Sequence, residues 1–210
     1  RSMGKRRQRL RLVGLALALG LVAAACGGND DNGGGTTGQA SQEPTKGGVY
    51  RTATTDFGYT NGFDPTGEYL GAAFATYNAL LRTLVAYRFV AGAPGNELQP
   101  DLATEVPQPT DNGLTYTFKL KPNIKFGPPV NRAITSKDIA YAFQRINTKP
   151  LAAQYGFYYF GVVKGMDGQA KTPDTKISGI ETPDDQTIVF HLTKPTGDFG
   201  YRLALAATAP

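Results

Sequence analysis

Asp111-Asn-Gly-Leu-Thr-Tyr-Thr-Phe-Lys-Leu-Lys121, followed by Ile134-Thr-Ser-Lys-Asp-Ile-Ala-Tyr-Ala-Phe-Gln-Arg145, decides the fold class. In the first stretch Leu114, Tyr116, Phe118 and Leu120 alternate with Thr115, Thr117, Lys119 and Lys121. Side chains of a strand point to opposite faces in turn, so this period of two describes a strand with one buried face. Asp111-Asn112-Gly113 is a turn leading into it. In the second stretch Thr135 precedes Asp138 by three residues, the spacing of a capping-box variant at the positive end of a helix. Ile139, Ala142, Phe143 and Ile146 then fall on one helical face, and Pro150 closes the run. A second alternating strand, Gln186 to Thr193, turns Ile188, Phe190 and Leu192 to one side after the turn Pro183-Asp184-Asp185. Strands and helices alternate with hairpin signals between them, so the class is α/β, mixed α+β.

Working upstream, Ala72 to Ala86 has helical spacing, with Phe74, Tyr77, Leu80, Leu81 and Leu84 three or four apart. Leu98 to Ala103 reads as a short helix opening closed by Pro107 and Pro109. Asp56 to Gly71 is a turn-rich loop carrying Asn61-Gly62 and Asp64-Pro65. Val49 to Thr55 reads as a strand from its β-branched and aromatic residues.

The N-terminus is different in kind. The 210 residues hold 22 Lys and Arg against 17 Asp and Glu. Six of the bases and none of the acids fall within residues 1–25, which leaves 16 bases against 17 acids from Cys26 onward. The net positive charge therefore belongs to the N-terminus. A folded domain with no basic excess gives little support to nucleic-acid binding. The bases precede an apolar run, Leu12 to Ala25, whose roughly 21 Å as a helix falls short of a ~30 Å hydrocarbon core. We read residues 1–25 as a lipoprotein signal peptide. Small residues before Cys26 resemble a lipobox, although Ala23 stands where Leu is preferred; an ordinary cleaved signal with an incidental Cys26 is the alternative. Residues 26–47 are Gly-rich with no large apolar side chain, and read as a flexible tether. Residues 48–210 then form the folded part. One Cys and one His leave no disulfide and no Cys/His metal cluster, and no cofactor motif stands out. No nucleophile elbow, P-loop or zinc-protease motif occurs, so the chain reads as a non-enzyme.

Leu102-Ala103, the Gly113-led strand, Lys125-Phe126 and the Thr135-capped helix, in this order, resemble solute-binding protein family 5 of ABC importers. These are the oligopeptide- and dipeptide-binding proteins. Gly47-Gly48-Val49, Asp64-Pro65, Leu80 to Val85 and Asp185 to Pro195 fit the same pattern, so the resemblance spans about residues 46–210. Gly127 to Ala133 departs from it, being longer than the family's loop. The resemblance implies a type II periplasmic-binding-protein-like fold, of which this chain holds the first lobe with an inserted subdomain and misses the second lobe. It implies capture of a peptide or related small solute between two lobes and delivery to ABC permease subunits. The setting would be the outer face of a bacterial cytoplasmic membrane, with the bilayer gripped through acylated Cys26. By the same resemblance, the segment after Asp64-Pro65 lines the cleft, which carries ligand contact onto Glu68, Tyr69, Leu70 and Ala73. Nickel complexes, haem and oligosaccharides are alternative ligands. Alternative readings of the whole are a lipid-anchored interaction or scaffold domain, a hydrolase, and a non-functional truncated fragment.

Four other features have plain structural readings. His191 sits on the outward face of its strand. Asp138 is explained by capping. Arg145 reads as a helix-surface ion pair, with a ligand carboxylate as the alternative. Tyr155, Phe157, Tyr158, Tyr159 and Phe160 read as core, with a cleft lining as the alternative.

Overall fold

A computed structural model describes residues 47–49, 51 and 58–210. The expected signal peptide, Cys26 and nearly all of the expected tether lie outside the described residues, as does most of the strand expected from Val49 to Thr55. The chain divides into two units at Thr52 and Ala53. Everything below concerns the second.

Its elements run β1 (Thr60–Phe63), α1 (Gly71–Leu80), β2 (Val85–Tyr87), β3 (Leu98–Pro100), β4 (Thr115–Lys119), α2 (Ser136–Ile146), β5 (Ile180–Asp184), β6 (Thr187–His191) and α3 (Phe199–Arg202), with short 3-10 turns between them. The main sheet has the order β4-β6-β5, antiparallel throughout, with Tyr116 opposite Phe190 and Phe118 opposite Ile188. β4 alternates as expected: Tyr116 and Phe118 are buried, Thr117 and Lys119 exposed. The turn into β4 takes Asp111 and Asn112 into the left-handed region, followed by Gly113 at φ 89°. A Cβ on Gly113 would also approach Pro195 to 3.2 Å, so both backbone angle and space call for glycine.

α2 lies against this sheet. Ile139, Ala142, Phe143 and Ile146 are all buried. Phe143 meets Phe190 at 5.0 Å and Tyr159 at 5.4 Å between ring centroids, and Phe190 meets Phe199 at 5.5 Å. Offset and edge-on aromatic contacts of this kind add to the area they bury. The start of α2 is held by Asp138, whose Oδ2 accepts from the Thr135 amide at 2.8 Å and the Thr135 hydroxyl at 2.9 Å. Arg132 grips the same carboxylate with both terminal nitrogens, at 2.6 and 2.8 Å. Burial pushes the Asp138 carboxyl up, but these bonds prevail and hold it below the usual range.

Three expectations are corrected. The helix spanning Ala72 to Ala86 stops at Leu80, and Leu84 is buried at the entry to a strand instead of on a helical face. Thr83, Val85 and Tyr87 favour extended backbone, and the chain turns where Asp101 accepts from the side chain of Arg82 and the amide of Thr83. The helix opening at Leu98 is strand β3, which pairs with β2 as Val85 to Pro100, Ala86 to Gln99 and Tyr87 to Leu98. Pro183 and Asp184, read as part of a turn, are the end of strand β5 at the edge of the main sheet. The β2-β3 partners lie far enough apart in the chain, Val85 against Pro100, that local pattern does not fix their pairing.

Candidate functional site

The described residues form an open groove of about 850 Å³. One side is α1, through Phe74 and Asn78. The floor includes Leu81, Ala86 and Gln99. The far side comes from the segment around α3, through Tyr201 and Arg202. A concavity of this size, mostly apolar with a few polar groups, has the form of a ligand pocket.

Tyr155 and Tyr158 build its aromatic wall. Their rings stack 5.9 Å apart and 3° from parallel. Tyr69 stacks on the other side of Tyr155 at 5.6 Å, and Phe74 meets it edge-on at 5.3 Å. The Tyr155 hydroxyl donates to the Tyr69 carbonyl at 3.1 Å, so the loop before α1 and the wall are fastened together. Burial raises the Tyr155 hydroxyl above its ordinary value, helped by Tyr69, Tyr158 and Glu68. Across the groove Tyr87 and Tyr201 lie 6.1 Å apart, and burial raises Tyr87 likewise.

Two ion pairs complete the lining. Arg82 donates through Nε to Asp101 at 2.8 Å, and Arg202 donates through Nε to Asp198 at 3.0 Å. Arg202 also donates to the Tyr158 carbonyl and lies 5.6 Å over the Tyr158 ring. It ties α3 to the aromatic wall.

The expected ligand residues are placed unevenly. None of the four lines this groove, although their neighbours Gly71 and Phe74 do. Tyr69 is 58% exposed and Leu70 half-buried. Glu68 and Ala73 are completely buried. Ala73 packs with Tyr77 and Ala206 under α1. The Glu68 carboxylate is engaged by its own chain: Oε1 accepts from the Thr60 hydroxyl at 2.7 Å and from the amides of Tyr69 and Leu70 at 2.7 and 2.8 Å, while Oε2 accepts from the Thr60 amide at 3.1 Å. Burial pushes this carboxyl up, and the bonds from Leu70, Thr60 and Tyr69 more than reverse it, leaving Glu68 below the usual range. It ties β1 to the entry of α1.

The remaining features resolve as follows. Arg145 pairs with Asp64 and donates to the Thr66 hydroxyl at 3.3 Å, the ion-pair reading. His191 bridges neighbours on the outer sheet face, with Nε2 3.0 Å from Glu181 and Nδ1 3.3 Å from the Thr115 hydroxyl. The aromatic run divides: Tyr159 is buried and donates to the Arg202 carbonyl at 2.7 Å, whereas Tyr155 and Tyr158 line the groove. Reading the whole run as core was wrong for these two and for Phe157, which is 61% exposed. Arg82, Asp101, Asp198 and Tyr201 were missed, because their meeting depends on the β2-β3 hairpin and α3, which no short motif announces.

A sequence profile of the bacterial extracellular solute-binding proteins, family 5 (middle region), matches residues 97–210, more than half of the chain. The chain belongs to this family. The family 5 assignment agrees with individual relatives. Di/tripeptide-binding protein 4 of Pseudomonas aeruginosa is 32% identical over 199 residues, covering 90% of this chain and 31% of that protein. The solved structure of clavulanic acid biosynthesis oligopeptide binding protein 2 is 30% identical with a TM-score of 0.64, over 70% of this chain and 27% of that one. Haemophilus influenzae OppA, solved in complex with RPPGFSPFR, is 25% identical with a TM-score of 0.59, over 72% of this chain and 28% of that one. The chain thus spans about a third or less of the length of these relatives. The type II periplasmic-binding-protein-like fold follows from the structural likeness.

Proposed function

We propose that this protein is the extracytoplasmic substrate-binding component of an ABC importer that captures peptides and passes them to permease subunits in the membrane. The observation that carries the reading is the family 5 match over residues 97–210, joined to relatives named for peptide binding. Capture needs no catalytic group: two lobes closing on a hinge bury the ligand, and the closed form signals the permease. Main-chain hydrogen bonding to an extended peptide tolerates varied side chains. Residues 1–25 direct export, Cys26 carries diacylglycerol at the outer face of the cytoplasmic membrane, and residues 26–47 tether residues 48–210 to it. Of the residues expected to meet ligand, Tyr69 and Leu70 are the ones available for direct contact. Glu68 and Ala73 act from beneath, Glu68 by fixing the amides of its two neighbours.

The test is isothermal titration calorimetry on the gene product isolated from its own membrane fraction, with tri- to pentapeptides against free amino acids. Saturable heat with peptides is the expected result; no heat with any peptide overturns the reading. Intact mass of the same sample should begin at Cys26 and carry a diacylglycerol. An unlipidated mass removes the anchor but leaves peptide capture standing.

A further inference from the structure

The aromatic wall of the groove rests on a ring outside the groove. Phe160 is half-buried, packs against the core and does not line the groove. Its ring fills the space where two other residues would carry a Cβ. A Cβ on Gly156 would stand 2.3 Å from the ring, and one on Gly168 would stand 2.7 Å from it. Carbon atoms in contact lie about 3.5–4.0 Å apart, so the ring rests against both backbones with no slack at either. Gly156 belongs to the wall. It sits between Tyr155 and Phe157 in the turn Gly156–Tyr158, and its carbonyl accepts from the amides of Tyr159 and Phe160 at 2.9 and 3.0 Å. Its φ is not positive, so space alone calls for glycine there. Gly168 belongs to the body of the protein. Its amide and that of Asp167 donate to the side-chain oxygen of Asn147 at 2.7 and 3.0 Å. Asn147 is buried at the end of α2, where its own amide donates to the Phe143 carbonyl at 2.9 Å. An unbroken line of contacts thus runs from α2 through Asn147, Gly168 and the Phe160 ring to the turn that carries Tyr155 and Tyr158.

We propose that Phe160 is a positioning residue for the groove: its ring, seated on Gly156 and Gly168, sets how far Tyr155 and Tyr158 stand forward, and with that the size of the ligand side chain the groove admits. This rests on the peptide-capture reading and names what sets its size selectivity. Close-packed groups pass a displacement on instead of absorbing it. A methyl group added at Gly156 meets a ring already in contact with Gly168. The shift of about 1 Å needed to restore ordinary contact therefore falls on the turn. Phe160 lies on the core side of that turn, so the wall moves into the groove. A smaller side chain at position 160 acts in the opposite sense, because the turn loses its backing. Neither change alters a residue that lines the groove.

The experiment is calorimetry with Ala-Ala-Ala and Ala-Phe-Ala, on the parent protein, Gly156→Ala, Phe160→Leu and the double variant, all isolated in the same way. The readout is the ratio of the two affinities. Gly156→Ala should weaken Ala-Phe-Ala about tenfold relative to Ala-Ala-Ala, the size of a one-carbon misfit in an apolar pocket. Phe160→Leu should move the ratio the other way, toward the larger peptide, and it adds no clash that could prevent folding. Leucine lacks the three ring atoms that a Cβ on Gly156 would meet, so the double variant should return to the parent ratio. A role in stability alone would weaken both peptides alike and give no such rescue. A ratio unchanged in both single variants, or one that the double variant fails to restore, overturns the assignment and leaves peptide capture intact. If neither peptide binds the parent, both readings fall.

Discussion

The two longer helices are built on opposite terms. α2 buries four apolar side chains on one face, and Ile139, Phe143 and Ile146 of these pack into the aromatic core. Its beginning is written in four consecutive residues, Thr135 to Asp138. α1 buries only Ala73 and Tyr77, has no side-chain cap of its own, and carries no charge in its first or last turn. Its entry is held by Glu68, which reaches back to Thr60 across eight residues. Its alanine-rich sequence supports a helix by propensity alone. The difference follows from their positions: α2 completes the core, while α1 offers its side to the groove. A wall facing open space cannot be secured by core burial on that side, so it is secured at its end.

The strongest way to break the contrast is to remove its anchor. Phe143→Ala should cost about 3–5 kcal/mol, because a fully buried ring touching Phe190 and Tyr159 leaves a cavity that cannot close. Urea unfolding reads this directly. A loss under about 1 kcal/mol would mean that α2 is no more tightly packed than α1. Next is Glu68→Ala, which strips acceptors from two amides and the Thr60 amide and hydroxyl at once; about 2–3 kcal/mol is expected. Glu68→Gln keeps one accepting oxygen and should lose less. An unchanged unfolding midpoint in both would show that α1 needs no end clamp.

Asp138→Ala should cost about 1 kcal/mol, the ordinary value of a helix cap. Acid sharpens the comparison further. Glu68 and Asp138 both have folded pKa values below their unfolded ones. Their contribution is therefore fully present above the ordinary carboxylate range and is lost as pH falls through the folded values. Unfolding free energy should decline on acidification below about pH 4–5, and Glu68→Gln and Asp138→Asn should each flatten that decline. A slope unchanged in both variants would place the acid sensitivity elsewhere.

The same contrast explains what could be read without a structure. The β4, α2 and β6 region was legible because its information is local: a period of two, a cap three residues from its partner, a period near 3.6. The region around α1 was not. Leu84 fits a helical face on spacing alone, yet Asp101, nineteen residues after Arg82, turns the chain there and pairs Val85 with Pro100. Leu98-Gln-Pro carries no alternation long enough to declare a strand. The site followed the same rule. The loop after Asp64-Pro65 does border the groove, but only through Gly71 and Phe74. Which residue of a loop faces outward depends on what clamps it, and Glu68, an exposed ligand contact by type, is that clamp. Tyr155 and Tyr158 differ from Tyr159 only by the turn that divides them.

Tyr77 gives the smallest effect and the one whose sign matters. It is wholly buried under α1, edge-on to Phe63 at 5.0 Å and to Phe74 at 5.6 Å between ring centroids. Its hydroxyl is the one buried side-chain polar atom among the described residues with no hydrogen-bond partner. Burial raises its pKa, with Glu68, Tyr59 and Asp64 contributing, so the hydroxyl stays neutral and unpaired at physiological pH. A buried hydroxyl without a partner opposes folding, and removing it while keeping the ring retains the packing. Tyr77→Phe should therefore stabilise the protein by about 1 kcal/mol, seen as a rise of a few degrees in Tm. The equivalent change in the core, Tyr159→Phe, should destabilise, because that hydroxyl donates to the Arg202 carbonyl at 2.7 Å. Opposite signs for the same atom removed would locate the tolerance for imperfect packing beneath the groove wall. A loss of stability in Tyr77→Phe would mean that an ordered water satisfies the hydroxyl, and that α1 is held from below as firmly as α2.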